Sequence, residues 1–390
     1  MTHPPSPSSQ RRGSDGARLT LRSATLSVIA WMLAGGFGCS QPNPAPAAPP
    51  LAAAPASPAS PATKGTPAAT PASLSIKAQR PAFDGEKAFA HLQKQCDFGP
   101  RTLGSAAHEK CRDFLLAEMR KYADRTITQA FSYRNMPVTN IIGVFYPEGS
   151  EKPAAQPVLL TAHWDTRPIA DGPFSEETRR GVAFRYGANG WHPTAPIPGA
   201  NDGASGAAVL LELARLFKAK RPPVGVLILL NDGEDYGDFR ARDGEGDGVF
   251  LGARYFARHF RDTPDFGRPD FGILLDMVGG KGLVLPRESL SQQYAPGVNE
   301  KVFGTAESLG YGRVFLSGET QAVEDDHIPL NMAGIPTIDL IHPLPIGNYE
   351  TTGYRYWHTR QDTPDKCSAE ALKIVGETVA EVVYRETPAR

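Results

Sequence analysis

Short apolar runs alternate with amphipathic stretches of helical length through the second half of the chain, and this alternation restricts the fold more than any other feature. The apolar runs occupy residues 158–162, 224–230, 271–275 and 335–341. The helical stretches occupy residues 203–220, 250–260, 297–309 and 368–384. Continuously apolar strands separated by helices predict a mostly parallel sheet that helices cover on both sides. We therefore expect a single α/β domain with three layers, α/β/α, around a mostly parallel mixed sheet.

The part of the chain just before this alternation predicts two helices and two strands. Asp84 and Ser105 are suitable N-caps for helices that extend to about residues 94 and 119, because their side chains can accept hydrogen bonds from the first turn. Residues 126–133 and 140–146 have the pattern of strands, and a polar turn at residues 135–137 joins them.

The first 39 residues are typical of an export signal. Four arginines, at positions 11, 12, 18 and 22, precede an apolar run over residues 24–34 that is too short to span a bilayer comfortably. The signal ends in Gly-Phe-Gly-Cys at residues 36–39, which resembles a bacterial lipoprotein cleavage site; simple cleavage is the alternative. Residues 41–76 are mostly proline and alanine, a composition typical of extended linkers.

These features predict three regions. We expect an export signal of the lipoprotein type over residues 1–39, a disordered linker over 40–82 and the folded domain over 83–390. The protein would then face the periplasm or the exterior, anchored to the membrane through Cys39.

Composition excludes some classes of partner and site. The formal net charge of the 390 residues is −1, so the chain lacks the excess of positive charge that is typical of proteins that bind nucleic acid.

The cysteines limit the possible disulfides and metal sites. If Cys39 carries lipid, the other three cysteines allow at most one disulfide; three buried thiols are the alternative. Those cysteines are Cys96, Cys111 and Cys367. The sequence has no Cys-x-x-Cys pair, which excludes a sulfur-rich zinc site.

Acids and histidines follow the predicted strands at the points where these end. Because ligands of such sheets bind outside the carboxyl ends of the strands, these side chains should converge on one edge. The segments concerned are 163–165, 201–202, 232–235, residue 276, 324–327 and 357–358. A single carboxylate at such a place is often only a helix cap. Packed carboxylates repel one another unless a cation or shared protons offset their charge.

The types of side chain in these segments indicate which cation binds. Histidine with carboxylate, and without thiolate, is typical of a catalytic zinc site that keeps an open position. Calcium is the competing interpretation, because residues 243–248 are similar to the start of an EF-hand loop. The twelfth position of that loop would be Arg254 rather than a bidentate glutamate, so a solvated acidic loop is the better interpretation.

The same segments, in this order, resemble the zinc aminopeptidase clan and, within it, the glutaminyl-peptide cyclotransferases. The resemblance covers roughly residues 85–386. Its motifs are Ala162-His163-Trp164-Asp165, Gly199 to Gly206, Asp232-Gly-Glu234-Asp235, Asp325-Asp326-His327-Ile-Pro329, Gly334 to Ile341 and Trp357-His358-Thr359.

The resemblance implies a role for each matching residue. Zinc ligands would be Asp202, Asp235 and His358. Glu234 would be the proton-shuttling glutamate, and Asp276 and Asp325 would be supporting catalytic acids. Trp357 and His327 would contact substrate, and either Phe239 or Phe250 would complete the aromatic wall.

His163 leaves the number of metal ions open. In the dinuclear aminopeptidases of the clan, the matching histidine and the residue at Asp276 hold a second zinc, which Asp202 bridges. Cyclases resemble that arrangement and use one metal. We therefore expect one zinc ion, with two as the alternative.

The resemblance implies an acyltransferase that cyclises the N-terminal glutamine of peptides or proteins to pyroglutamate and releases ammonia. We expect a monomer, although the sequence itself does not determine the oligomeric state. A zinc aminopeptidase is the alternative, because the same glutamate can activate a metal-bound water. A serine hydrolase would need a Gly-x-Ser-x-Gly elbow, which residues 203–206 do not supply.

Overall fold

The computed structural model describes residues 78–240, 248–263 and 266–387. A six-stranded sheet forms its centre, in the order β1-β2-β6-β3-β7-β10. Its strands are β1 (Arg125–Tyr133), β2 (Met136–Phe145), β3 (Val158–His163), β6 (Val226–Asn231), β7 (Phe271–Asp276) and β10 (Thr337–Ile341). Two small two-stranded sheets pair β4 (Arg185–Gly187) with β5 (Gly190–His192), and β8 (Leu285–Arg287) with β9 (Phe315–Glu319).

The four apolar runs form the parallel part of the central sheet. Strand β3 pairs in parallel with both β6 and β7, and β7 pairs in parallel with β10. Every residue of these four strands is buried, which explains why their sequences are apolar without alternation. Strands β1 and β2 run antiparallel to their neighbours, so the sheet is mixed, as predicted.

Helices cover both faces of the sheet, which confirms the three-layer α/β/α architecture. The helices are α1 (Gly85–Asp97), α2 (Ala106–Tyr122), α3 (Glu176–Arg179), α4 (Ala204–Ala219), α5 (Leu251–His259), α6 (Ser289–Tyr294), α7 (Pro296–Ser308), α8 (His327–Met332) and α9 (Ala369–Arg385). Short 3₁₀ turns lie at Phe260–Asp262, Gly347–Tyr349 and Pro364–Lys366. Apolar residues of α1, α2, α4, α7 and α9 share one core with one face of the sheet. Residues of α5 and α8 form a second core with the opposite face.

Capping and turn residues determine where several elements begin and end. Asp84 accepts hydrogen bonds from the backbone N–H groups of Glu86 and Lys87, and Ser105 accepts one from His108. Both helices therefore begin where their caps predict. The turn between β1 and β2 lies one residue earlier than expected. Arg134 and Asn135 form it, with φ of 48° and 64°, and Met136 already belongs to β2.

Several predictions fall partly or wholly outside the described ranges. The export signal, Cys39 and nearly all of the linker precede residue 78, and most of the acidic loop at 243–248 is also outside. Cys96, Cys111 and Cys367 are free thiols, and the latter two are buried. Among the described residues, no helix is long and apolar enough to cross a membrane.

Candidate metal and active site

The carboxyl ends of the parallel strands bring the predicted polar residues together. His163 ends β3, Asp276 ends β7, and Glu234 and Asp235 follow the end of β6. Because these strands run in the same direction, their carboxyl ends lie at one edge of the sheet. Asp202 reaches this edge from the segment before α4, and His358 reaches it from the segment after β10.

Two groups of potential metal ligands share Asp202. The first is His163, Asp202 and Asp276, and the second is Asp202, Asp235 and His358; within each, the ligand atoms lie within 4.8 Å of one another. In the second group, His358 Nε2 lies 3.3 Å from Asp235 Oδ1 and 3.7 Å from Asp202 Oδ2. In the first group, His163 Nε2 lies 3.2 Å from Asp202 Oδ1 and 3.1 Å from Asp276 Oδ1.

The second group has the chemistry of a zinc site. One imidazole and two carboxylates are ligands that zinc accepts with a fourth position left open. The Asp235 Oδ2 atom is buried and has no hydrogen-bond partner among the described residues, which is costly unless a cation binds there. The residues present therefore fit a zinc ion.

The backbone around these ligands is close-packed. A Cβ atom at Gly203, the residue after Asp202, would lie only 2.5 Å from the imidazole ring of His163, so no larger residue fits beside that ring. His358 has a φ of 51°, in the left-handed region that non-glycine residues rarely adopt. Such a conformation costs on the order of 1–3 kcal/mol and is typical of functional sites.

Two further buried acids orient the ligand segments from behind. Asp165 accepts hydrogen bonds from the backbone N–H groups of Glu234 and Asp235, at 3.0 and 3.2 Å. Asp362 accepts hydrogen bonds from the backbone N–H groups of Asn201 and Asp202, and one from the Tyr354 hydroxyl at 2.6 Å. Asp165 belongs to a motif that gives it no role of its own, and nothing near Asp362 in the sequence marks it as part of the site.

The surroundings of the site shift the pKa values of Glu234, Asp325 and His358. Burial raises the pKa of Glu234 well above its usual range; His163 opposes this effect, and the charges of nearby acids add to it. Burial and then the charge of Asp276 raise the pKa of Asp325 in the same way. Burial acts to lower the pKa of His358, but the charge of Asp235 and hydrogen bonds to neighbouring acids outweigh it and raise this pKa to about 9. Perturbed groups of this kind cluster at functional sites.

A cleft of about 210 Å³ opens onto these residues. Its acidic part includes Glu234, Asp276 and Asp325 beside the three members of the second ligand group. Its apolar walls are formed by Phe239, Val323, Ile341, Leu344 and Trp357. The indole of Trp357 also stacks on the ring of His358, with centroids 4.0 Å apart. The cleft can therefore hold one residue-sized group against acids and a flat apolar wall.

Three aromatic residues considered in the sequence take different places. Phe239 lines the cleft, whereas Phe250 packs edge-on against Phe239 at 5.6 Å. Trp164 is fully buried and stacks on His108 at 4.4 Å, which is a packing role. His327, expected to contact substrate, is fully buried with its Nε2 atom 3.4 Å from Glu288, and it does not line the cleft.

Comparison with known proteins gives a family match and two kinds of relative. The model of peptidase family M28 matches residues 140–383, more than half of the chain. Aminopeptidase YwaD of Bacillus subtilis is 26% identical over 261 residues, which cover 65% of this chain and 46% of that protein. The chain thus spans less than half the length of this curated relative.

Two solved structures from Bacteroides thetaiotaomicron are similar over nearly their whole length. A glutaminyl cyclase bound to N-acetylhistamine is 35% identical with a TM-score of 0.67, and the match covers 79% of this chain and 100% of that one. A leucine aminopeptidase precursor is 34% identical with a TM-score of 0.66, over 80% of this chain and 100% of that one. Similarity of sequence and fold therefore does not separate the two activities.

Proposed function

Because this chain belongs to peptidase family M28, we propose that it is a zinc enzyme that cyclises N-terminal glutamine of peptides or proteins to pyroglutamate and releases ammonia. The observation that carries this proposal is the pair Asp276 and Asp325 in the cleft beside Glu234. The pair offers carboxyl oxygens to a side-chain amide, whose nitrogen donates two hydrogen bonds. The likeness to glutaminyl cyclases supports the same activity.

We assign one zinc ion to Asp202, Asp235 and His358. Bound zinc would supply Lewis-acid polarisation of the substrate's side-chain amide oxygen. His163 and Asp276 remain available to the reaction in this assignment, and their contact at 3.1 Å gives the Nε2 atom of His163 a partner without a second ion.

The reaction asks the free α-amine of glutamine to attack its own side-chain amide carbon. A new C–N bond forms, the bond to the amide nitrogen breaks, and that nitrogen leaves as ammonia. Since the attack is intramolecular, the cleft mainly has to hold the substrate in a folded conformation. The flat indole of Trp357 and the ring of Phe239 can provide the apolar walls for this.

Glu234 can move the proton that the reaction requires. It takes a proton from the attacking amine and delivers one to the departing nitrogen, while Asp276 and Asp325 accept hydrogen bonds from that nitrogen. The raised pKa of Glu234 suits a group that must both accept and donate a proton near neutral pH.

Aminopeptidase activity is the second candidate function, and a specific observation favours it. His163, Asp202 and Asp276 form a second group of close ligand atoms, which could hold another ion. Glu234 would then activate a water molecule for attack on the first peptide bond.

One experiment separates the two functions. The purified protein is incubated separately with two peptides that differ only in their first residue, which is glutamine in one and leucine in the other. The masses of the products are measured by mass spectrometry. We expect the first peptide to lose one ammonia and the second to stay intact. Loss of a whole N-terminal residue from either peptide would contradict cyclisation and support the aminopeptidase.

We also propose that Cys39 carries a lipid anchor that holds the domain at the periplasmic or extracellular face. This location is supported by the four arginines near the N-terminus, the apolar run over residues 24–34 and the proline-alanine linker. A Cys39→Ser variant should move from the membrane fraction to the soluble fraction and keep its turnover. Wild-type protein that is soluble in its native host would contradict the anchor.

A further inference from the structure

We propose that Arg167 and Asp171 are positioning residues that hold Asp235, His358 and Phe239 in one rigid unit. The inference rests on the proposed zinc site. It adds two residues that touch neither the metal position nor the cleft and act only through the side chains they hold.

All three side-chain nitrogens of Arg167 donate hydrogen bonds within this unit. Its side chain is 2% exposed, and its Nε and Nη2 atoms donate to the two oxygens of Asp171 at 2.7 and 2.8 Å. Its Nη1 atom donates to Asp235 Oδ1 at 3.0 Å and to the backbone carbonyls of Asp235 and Gly237. A planar guanidinium can bond two carboxylates in this forked way, and an ammonium cannot.

Asp171 carries the effect of Arg167 to the histidine ligand. Its Oδ1 atom lies 3.0 Å from His358 Nδ1 and accepts a hydrogen bond from it. With a proton held on Nδ1, Nε2 is the nitrogen that would bind zinc, and it lies 3.7 Å from Asp202 Oδ2 and 3.3 Å from Asp235 Oδ1. A carboxylate bonded to the far nitrogen of a ligand histidine fixes the ring and its tautomer.

The segment that carries Asp171 is also held against the segment that carries His358. The N–H of Gly172 donates to the carbonyl of His358 at 3.0 Å. A Cβ atom at Gly172 would lie 2.1 Å from the carbonyl oxygen of Trp357, so only glycine permits this approach.

The flat faces of Arg167 connect the ligands to the cleft wall. Its guanidinium carbon lies 5.1 Å from the ring centroid of Phe239 and 5.6 Å from that of Trp191. The indole N–H of Trp191 donates to the carbonyl of Tyr236 at 2.8 Å, and this bond holds the Trp191 ring in place. Phe239 lines the cleft, so the group that holds the ligands also supports the wall against which substrate packs.

The test compares Arg167→Lys with Arg80→Lys. The control changes another arginine that bonds a buried acid, because Arg80, whose side chain is 9% exposed, donates through Nε to Glu381 at 2.8 Å and the Glu381 side chain is fully buried. Zinc affinity is measured by competition with a chromophoric chelator, without substrate. The absorption spectrum of the cobalt-substituted protein reports the geometry of the metal ligands. The values of kcat and KM for a glutamine-initiated peptide show whether Phe239 still supports substrate binding.

We expect Arg167→Lys to weaken zinc binding by about 10–100-fold, the usual effect of losing such a partner, and to change the cobalt spectrum. KM should rise as Phe239 loses its support. Arg80→Lys should lower only the melting temperature. Because zinc affinity needs no substrate, failure of the cyclase proposal would leave this result standing.

Wild-type zinc affinity and an unchanged cobalt spectrum in Arg167→Lys would overturn the proposal, as would an equal loss of zinc affinity in Arg80→Lys. If Arg167→Lys does not fold, Asp171→Asn decides. In this variant the side-chain oxygen can still accept a hydrogen bond from His358, but the negative charge that pairs with Arg167 is lost. Unchanged zinc affinity in Asp171→Asn would also overturn the proposal.

Discussion

Glu234 and Asp235 are adjacent, buried acids to which the site gives different neighbours, and replacing each by its isosteric amide should separate their roles. Glu234 Oε2 lies 3.8 Å from His163 Nδ1. Asp235 Oδ1 instead contacts Arg167 Nη1 at 3.0 Å and His358 Nε2 at 3.3 Å. In the proposed mechanism Glu234 therefore serves the reacting groups, and Asp235 serves the proposed metal position.

Glu234→Gln should retain zinc and lose turnover. The amide keeps the shape of the side chain, and the backbone N–H of residue 234 keeps its bond to Asp165. The amide cannot transfer a proton, and losing such a group typically costs about 10²–10⁴-fold in rate. At 1.36 kcal/mol for each factor of ten, this loss corresponds to about 2.7–5.4 kcal/mol of transition-state stabilisation.

Asp235→Asn should instead lose zinc. The change removes a negative charge from between Arg167 and His358, and it leaves the buried guanidinium with one carboxylate fewer. Removing one partner of a buried ion pair typically destabilises a protein by about 3–5 kcal/mol. We therefore expect a lower melting temperature together with weaker metal binding.

The assay measures zinc content, melting temperature and turnover of a glutamine-initiated peptide for both variants. Glu307→Gln, the same chemical change on the exposed side of α7, is the matched control and should resemble wild type. If Glu234→Gln stays active while Asp235→Asn fails with zinc still bound, the two roles are reversed and the reasoning is wrong.

Three further predictions follow from the site. A strong heterocyclic chelator should abolish activity and added zinc should restore it, whereas full activity in protein shown by elemental analysis to be metal-free would contradict a metal enzyme. Burial raises the pKa of Glu234, and this base must be ionised to accept a proton, so kcat/KM should fall as the pH drops. The midpoint of that fall should lie above about 4.3, the ordinary pKa of glutamate. A midpoint of about 4.3 in protein that retains zinc would contradict the assignment of Glu234 as the base. Gly203→Ala places a methyl group 2.5 Å from the His163 ring and should cost about 1–3 kcal/mol of stability and weaken zinc binding, whereas Gly297→Ala, with no atom within 4 Å, should not.

The sequence predicts most of the sheet because burial on both faces leaves a simple pattern. Strand β7, for example, begins at Phe271 as expected and extends one residue further, to Asp276. Polar residues at strand ends stand out against such apolar runs, which is why the segments around His163, Asp202, Glu234 and Asp276 could be singled out. The rule that parallel strands end at one edge then predicts that they converge.

Residues that act through other side chains leave no such signal. Arg167 and Asp171 belong to an irregular segment, and nothing local indicates that one contacts Asp235 and the other His358. Asp362 resembles an ordinary loop acid until the fold brings the backbone of Asn201 and Asp202 to it. His327 shows the opposite difficulty, because its motif suggests exposure to substrate whereas packing encloses it.

The proposed metal ligands come from three segments that lie far apart along the chain, ahead of α4, after β6 and after β10. Local structure alone cannot bring any two of these ligands together. Zinc binding therefore requires that the sheet has formed and that the segment after β10, which carries His358, has packed against it. Metal binding and global folding are then linked: at a free zinc concentration of 100 times the dissociation constant, the folded state gains about 2.7 kcal/mol. The supply of metal in the compartment would thus set how often the chain opens, and a molecule that has not acquired zinc would be degraded first by the proteases around it.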